Sequence, residues 1–311
     1  MNMSSNRVVV GVDGSLNSDH ALAWAADAAE SRHVPLEVVL AWDATWVHAS
    51  EGIMAITDVD ETFRRLTALA EERIDSSISR VQEKHDLSGL EIIRTPVQGP
   101  VVPAVIEAAA GASMLVVGRR GVGRLGRLFM GSVSAGIVRQ AHLPVTVIPD
   151  PERAEQQRAA ALDGAEADET PRIVVGVDGS PASVAALKFA AEAAQRRHLP
   201  LHAVTCWQFA TSGIPSESFG WVPPIEDFED RSRQHLDEAI ERAGISHLPE
   251  DQLVRTILRS SPGRGLLRSA AGATWLVLGS RGMGGFERLM LGSVSSQLME
   301  QAPCPVTIVR T

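Results

Sequence analysis

The feature that most constrains this 311-residue chain is a sequence pattern that occurs twice. The segment RVVVGVDGS at residues 7–15 returns as RIVVGVDGS at residues 172–180. The segment RLFMGSVSAG at residues 127–136 returns as RLMLGSVSSQ at residues 288–297, so the repeat distance is 165 residues early and 161 residues late. Because a solenoid needs at least about three stacked repeats, two long copies predict a duplicated globular domain.

The length of each copy suits one domain, and the chain as a whole has room for about two. We expect the first domain at residues 1–150, a linker at residues 151–170 and the second domain at residues 171–311. The segment at residues 150–171 contains seven acidic residues and almost no bulky apolar side chain. This composition predicts a solvated linker with one or two helical turns.

Each copy alternates short valine-rich runs with longer segments of helical periodicity. The first copy has VVVGV, LEVVLAW, LEIIRTPV, MLVVG and PVTVI as its apolar runs. Such runs are typical of strands that are buried on both faces of a sheet. Strands that alternate with helices predict the α/β fold class, here as two tandem, doubly wound parallel sheets with helices on both faces. Ligands of such sheets bind outside the carboxyl ends of the strands.

A glycine-rich segment follows the fourth predicted strand. Its Gly121-x-Gly123-x-x-Gly126 pattern matches the fingerprint of dinucleotide-binding folds, but that fingerprint follows the first strand, and the second copy has Glu287 in place of Gly126. Both copies keep another spacing, G-x2-G-x9-G-S. Its members are Gly118, Gly121, Gly131 and Ser132, and then Gly279, Gly282, Gly292 and Ser293.

This repeated spacing predicts a phosphate site. We interpret Gly118 and Gly279 as positions where a ligand approaches the backbone closely, and Gly121 and Gly282 as turn residues with positive φ. The Gly-Ser pairs stand directly before predicted helices, whose N-termini attract anions. The two serines either cap these helices or donate to a phosphate, and the two roles can coexist.

Charged residues at the same strand ends extend this hypothesis. Arg120 and Arg127 recur as Arg281 and Arg288, and residues 119–127 hold four arginines and no acid in a chain of net charge −9. This local excess of positive charge in an acidic chain favours a bound phosphate. Exposure of the arginines to solvent, or their pairing with the acidic linker, also explains it. Asp13 and Asp178 end the first strand of each copy. They can accept from a ribose or base, help to hold a metal, or form an Asx-turn or N-cap.

Several classes of function are disfavoured. The net charge of −9 argues against nucleic acid and anionic membranes as partners. The chain shows no signal-peptide pattern and no run near the ~20 apolar residues of a membrane span, so we expect a cytoplasmic protein. The two cysteines form no zinc pattern, and GxxxxGK[ST], HExxH and GxSxG are absent. We therefore expect no protein-built metal site and name no catalytic residue.

Taken together, these motifs resemble the universal stress protein family in its tandem form, and the glycine spacing resembles that of its ATP-binding branch. The resemblance implies a Rossmann-like, adenine nucleotide alpha hydrolase-like domain with strand order 3-2-1-4-5. It also implies ATP with Mg²⁺, up to two per chain, between the first and fourth strands. Asp13 and Asp178 would lie in the pocket, and the backbone near Ala41 and Cys206 would contact adenine. The remaining nucleotide contacts implied are Gly118, Gly121, Gly131, Ser132, Val133 and Ser134, with Gly279, Gly282, Gly292, Ser293, Val294 and Ser295.

The same resemblance implies that the domains pair through their fifth strands, at residues 144–148 and 305–309, within the chain or in a homodimer. The function implied is a nucleotide-dependent sensor in the stress response, with an unidentified protein partner and slow or no ATP hydrolysis. Two alternatives stay open at this stage. One is a nucleotide-dependent enzyme, either an ATPase or a transferase, and the other is an interaction module that binds no nucleotide.

Overall fold

The computed structural model describes residues 6–43, 59–120, 130–162, 170–208, 225–282 and 291–311. Its contacts divide the chain into two compact units, Met1–Asp150 (unit 1) and Pro151–Thr311 (unit 2). The elements of unit 1 are β1 Val8–Gly11, α1 Leu16–Glu30, β2 Leu36–Trp42, α2 Val59–Gln82, β3 Ile92–Gln98, α3 Val101–Ala108, β4 Met114–Gly118, α4 Ser132–Gln140 and β5 Val145–Ile148.

Unit 2 repeats this order after one additional helix. Its elements are α5 Pro151–Leu162, β6 Ile173–Gly176, α6 Pro181–Arg197, β7 Leu201–Trp207, α7 Ile225–Arg242, β8 Leu253–Arg259, α8 Pro262–Ala270, β9 Trp275–Gly279, α9 Ser293–Gln301 and β10 Val306–Val309.

The described strands of each unit pair in parallel. In unit 1 the strand β1 pairs with β2 and β4, β2 pairs with β3, and β4 pairs with β5, which gives the order β3-β2-β1-β4-β5. The pairings of unit 2 give β8-β7-β6-β9-β10. Val8, Val9 and Val10 have no exposed surface, as expected of a central strand that is covered on both faces. The α/β fold class is confirmed, and the switch points of strand order lie between β1 and β4 and between β6 and β9.

The acidic segment after β5 is more structured than expected. Residues Pro151–Leu162 form the 12-residue helix α5, which is roughly three turns where one or two were expected. Proline at its first position and its alanines, glutamates and glutamines favour a helix. The Gln157 side-chain amide donates to the Glu300 carbonyl at 2.8 Å, so α5 contacts α9 within unit 2. Residues 163–169 lie outside the described part of the chain.

Within the ranges that the structure describes, no helix is both long and apolar enough to cross a lipid bilayer.

A glycine makes room for a helix crossing in both units, but on opposite helices. A Cβ atom at Gly136 on α4 would lie 2.9 Å from Val102 Cγ2 on α3, whereas one at Gly263 on α8 would lie 2.2 Å from Gln297 Oε1 on α9. Gly263 stands at the position of Val102, and Gln297 stands at that of Gly136. The two copies therefore keep the same close crossing with the bulky side chain exchanged between the helices.

We predict that Gly136→Ala lowers the free energy of unfolding by about 1 kcal/mol. Overpacking costs about 1–3 kcal/mol, which exceeds the gain of about 1 kcal/mol from replacing a helical glycine. Urea denaturation measures this change. Adding Val102→Ala should recover most of the overpacking cost, and Gly89→Ala, where no atom lies within 4 Å of the new Cβ, is the matched control. A Gly136→Ala chain at least as stable as the parent contradicts the close-crossing account.

Candidate functional site

The turn between β1 and α1 lies at the carboxyl edge of unit 1. Asp13 Oδ1 accepts from the Ser15 N–H at 3.0 Å and from the Ser15 hydroxyl at 2.6 Å, which is an Asx-turn. Gly14 has φ +82°, a left-handed conformation that glycine adopts without strain. Ser15 caps α1, since its Oγ accepts from the Ser18 N–H at 3.2 Å. The Asx-turn reading of Asp13 is therefore the one observed.

The equivalent turn of unit 2 has a different arrangement. Asp178 Oδ1 accepts from the Ser180 N–H at 3.1 Å, and Ser180 caps α6 through the Ser183 N–H at 3.2 Å. The Ser180 hydroxyl donates at 3.2 Å to the carbonyl of Arg281, which follows β9. In unit 2 this serine therefore joins the first turn to the loop after the fourth strand.

The first glycine of the motif serves a contact that the sequence did not indicate. A Cβ atom at Gly118 would lie 3.0 Å from the Asn17 carbonyl oxygen, and one at Gly279 would lie 2.7 Å from the Ala182 carbonyl carbon. Both partners belong to the first turn of the helix after the first strand. We interpreted these glycines as places where a ligand approaches, but the backbone of that helix occupies this space.

The second glycine of the motif also differs from expectation. Gly282 does not have the positive φ that we predicted. A Cβ atom on it would clash with Asp178 Oδ2, so the Asp178 carboxylate lies directly beside Gly282. Three other predicted site residues, Gly121, Arg127 and Arg288, lie outside the described residues.

The third glycine and the serine after it form a helix N-terminus in both units. Gly131 and Gly292 are the N-cap residues, and Ser132 and Ser293 are the first helical residues. A glycine cap has no side chain with which to accept from the first N–H groups, so these helix ends differ from those capped by Ser15 and Ser180. Ser132 and Ser293 are exposed and do not stand at the N-cap position that we considered for them.

The same backbone bond closes the loop before each of these helices. The Gly131 N–H donates to the Arg119 carbonyl at 2.9 Å, and the Gly292 N–H donates to the Ser280 carbonyl at 2.8 Å. Arg119 and Ser280 occupy equivalent positions directly after the fourth strand. The loop that carries the glycine motif therefore begins and ends at one point of the carboxyl edge in both units.

The second serine of each helix has a structural role. Ser134 Oγ donates to the Arg119 carbonyl at 2.8 Å, and Ser295 Oγ donates to the Gly279 carbonyl at 2.8 Å. Both side chains are buried. A hydroxyl has one proton, so neither serine can donate to a phosphate while it holds its carbonyl. Val133 and Val294, between the two serines, are exposed and half-buried respectively.

Positive charge is present at this edge of unit 2. Arg281 is exposed, and Arg310, directly after β10, is close enough to interact with it. Burial lowers the pKa of Arg310, and the positive charge of Arg281 lowers that pKa further. Sequence reasoning missed Arg310 because unit 1 has Pro149 at that position. The sequence feature that could have identified Arg310 is its position, one residue after the fifth strand. In unit 1, Arg120 is half-buried.

The second strand of each unit extends past the end of the first strand and presents backbone groups there. The Val39 carbonyl accepts from the Val12 N–H, and the Trp42 carbonyl accepts from the Gly99 N–H beyond β3, both at 2.9 Å. Because N–H and C=O groups alternate in direction along a strand, those of Ala41 point to the side of β1. They lie beyond Gly11, the last residue of β1 that pairs with β2.

Cys206 holds the same position in unit 2, since Val204 accepts from the Val177 N–H at 2.9 Å and Trp207 accepts from the Ser260 N–H at 3.0 Å. Burial raises the pKa of the Cys206 thiol to about 11, so this thiol is protonated at neutral pH and a poor nucleophile. In the described ranges, no group of three or more His, Cys, Asp or Glu side chains is placed to hold a metal ion.

Comparison with known proteins gives one consistent result. The model of the universal stress protein family matches residues 5–149 and again residues 169–310. A universal stress protein of Mycolicibacterium smegmatis is 32% identical over 315 residues, covering 97% of this chain and 96% of the relative. One of Mycobacterium tuberculosis is 32% identical over 319 residues, with the same two coverages of 97% and 96%.

The fold is also similar to that of a solved structure. The crystal structure of a universal stress protein from Archaeoglobus fulgidus superposes with a TM-score of 0.65 at 20% identity and covers 99% of both chains. At 20% sequence identity, this similarity shows a shared fold.

We predict that Ser134→Ala and Ser295→Ala each lower the free energy of unfolding by about 1 kcal/mol, because each removes a buried hydrogen bond. The matched controls are Ser132→Ala and Ser293→Ala, which change exposed side chains and should stay within about 0.5 kcal/mol of the parent. Urea denaturation of the four variants makes the comparison. If all four variants are equally stable, the hydroxyls of Ser134 and Ser295 do not hold the loop.

Proposed function

The chain belongs to the universal stress protein family, and from that premise we propose that each unit binds one adenine nucleotide, ATP with Mg²⁺, at the carboxyl edge of its sheet. The observation that carries this proposal is the pair of helix N-termini at Gly131-Ser132 and Gly292-Ser293. Each has a glycine cap, an exposed serine at the first helical position and the same closing bond. N–H groups at such an end bind phosphate oxygens, and the helix dipole favours their negative charge.

The remaining parts of a nucleotide match other groups at the same edge. The backbone N–H and C=O of Ala41 and of Cys206 offer one donor and one acceptor to an adenine edge at the switch point. Arg120 and Arg281 supply positive charge for the phosphates, and by sequence Arg127 and Arg288 add to it. Asp13 and Asp178 follow the first strand, which lies between the second and the fourth strands, and there a ribose hydroxyl can donate to the carboxylate.

Magnesium is compatible with these residues. Mg²⁺ usually takes several ligands from water and substrate phosphates and only one or two from protein carboxylates. A single carboxylate per unit, Asp13 or Asp178, therefore suffices to orient a metal that the phosphates hold. Such a site does not require a cluster of several carboxylates. Among the described residues, no group of three or more His, Cys, Asp or Glu side chains could hold a metal ion.

We infer that the protein acts as a cytoplasmic sensor in the stress response, with slow or no ATP hydrolysis. Phosphoryl transfer needs a positioned base or a residue that orients the attacking water, and we assign no residue shared by the two copies to this role. Nucleotide binding would instead order the glycine loops and shift the affinity for a protein partner. The enzyme alternative differs measurably, because it predicts turnover of about 1 per second or faster.

A charge placed at the helix N-termini tests the phosphate site without weakening the helices. We predict that Ser132→Asp with Ser293→Asp weakens Mg·ATP binding by about 100-fold or more, because each carboxylate repels the phosphates at close range. The helices should gain about 0.3–1 kcal/mol in stability, since an acid suits the first turn. Isothermal titration calorimetry measures the affinity, and thermal denaturation monitors the fold.

The matched control is Ser132→Asn with Ser293→Asn, which has the same shape without the charge and should bind two nucleotides per chain. Each single Asp variant should retain one. If the Asp and Asn double variants bind ATP equally well, the phosphates do not bind at these helix ends and the proposed site is wrong.

A further inference from the structure

The ends of β9 and β10 bring two arginines together at the carboxyl edge of unit 2. Val309 stands opposite Gly279 in the parallel register of these strands, and the Ser280 N–H donates to the Val309 carbonyl at 2.8 Å. Arg310 is therefore level with Ser280, and Arg281 is one residue further along the neighbouring chain segment. Arg281 is exposed and Arg310 is half-buried. We call Arg281 and Arg310 the arginine pair.

The arginine pair lies beside the proposed phosphate site of unit 2. The carbonyl of Arg281 accepts from the Ser180 hydroxyl at 3.2 Å, which joins it to the turn after β6. The Ser280 carbonyl accepts from the Gly292 N–H at 2.8 Å, which joins the same strand end to the N-terminus of α9. Arg281 thus stands between that turn and the glycine-capped helix, with Arg310 on the adjacent strand.

The surroundings of Arg310 favour an anion. Burial lowers the pKa of Arg310, and the positive charge of Arg281 lowers that pKa further. The guanidinium has lost part of its hydration and is repelled by a second cation, and both effects raise the free energy of its charged form. A phosphate group offsets both effects, because it supplies the opposite charge and several oxygen atoms that accept hydrogen bonds.

The glycine loop of unit 2 has less positive charge of its own than that of unit 1. Residues 119–127 contain four arginines and no acid, whereas the equivalent residues 280–288 contain two arginines and one glutamate. The formal charge of the segment therefore falls from +4 to +1. Arg310 adds a positive charge from the neighbouring strand in the unit whose loop has less. In unit 1 its position is held by Pro149, which is buried and has no charge.

We propose that Arg310, together with Arg281, binds phosphate groups of the nucleotide in unit 2, so that this site selects nucleotides with a polyphosphate chain over nucleoside monophosphates. The inference rests on the proposed function and names the class of ligand that this site takes. The N-terminus of α9 can bind a single phosphate group by itself. Further phosphate groups need further positive charge, and two guanidiniums supply it with N–H groups in a geometry that matches phosphate oxygens.

A chain in which only unit 2 binds nucleotide measures this selection. Ser132→Asp disables the site of unit 1, and Arg310→Gln in that chain removes the charge but keeps a polar side chain. By calorimetry, we expect Arg310→Gln to weaken the binding of Mg·ATP by about tenfold or more and that of AMP by about threefold or less. Arg310→Lys keeps the charge without the planar fork, so it should bind Mg·ATP more tightly than Arg310→Gln does.

The matched control is Arg268→Gln in the same Ser132→Asp chain. Arg268 is an exposed arginine in the last turn of α8, and this helix runs from the carboxyl edge of the sheet to the opposite edge. The control removes the same charge far from the arginine pair, so both affinities should stay within about twofold of the parent. Thermal denaturation of each variant monitors the fold.

The outcomes separate the failure of this inference from that of the proposed function. If Arg310→Gln binds Mg·ATP as the parent does, or loses ATP and AMP equally, the role of Arg310 is overturned while nucleotide binding stands. If the Ser132→Asp chain binds neither ATP nor AMP, the proposed function of unit 2 is overturned. Inorganic tripolyphosphate then tests the arginine pair without the nucleoside. We expect Arg310→Gln to weaken its binding by about tenfold, and an unchanged affinity or no binding overturns the inference as well.

Discussion

The candidate site depends on the close contact between the first turn of the first helix and the end of the fourth strand. In both units this contact is backbone against backbone, at Gly118 with Asn17 and at Gly279 with Ala182. Any side chain at these glycines would push the helix away from the sheet. Because the contact exists, the turn that carries Asp13 or Asp178 stands beside the end of the fourth strand, where the carbonyl of Arg119 or Ser280 accepts from the third glycine. This contact brings together, at the switch point of strand order, the groups that we propose to bind a nucleotide.

Most groups that this site offers to a ligand belong to the backbone. The hydroxyls of Ser134 and Ser295 hold the loop, whereas in our proposal the helix N–H groups after Gly131 and Gly292 bind the phosphates. Because the proposed ligand groups are mainly backbone groups, the glycines and serines of the motif repeat in both copies, whereas the residues between its second and third glycines differ.

The fold class could be predicted from the sequence because strand burial and helix periodicity are local patterns, and the duplication provided a second example of each. The starts of the helices after the glycine loops were predictable for the same reason, since Gly131-Ser132 directly precedes a helical pattern, and anion binding at these helix ends stays a prediction. The roles of Gly118 and Gly282 could not be predicted, because their partners Asn17 and Asp178 are about a hundred residues away in sequence. The pairing of the fifth strands and the roles of Gly121, Arg127 and Arg288 stay predictions.

The central claim is that each unit binds one ATP and keeps it intact. The most direct measurement equilibrates the chain with Mg·ATP, removes free nucleotide by rapid gel filtration, denatures the protein and counts adenine nucleotides per chain by anion-exchange chromatography. The account predicts close to two nucleotides per chain, recovered as ATP after incubation for many minutes. No bound nucleotide would contradict the binding site, and recovery as ADP would contradict the sensor in favour of an enzyme.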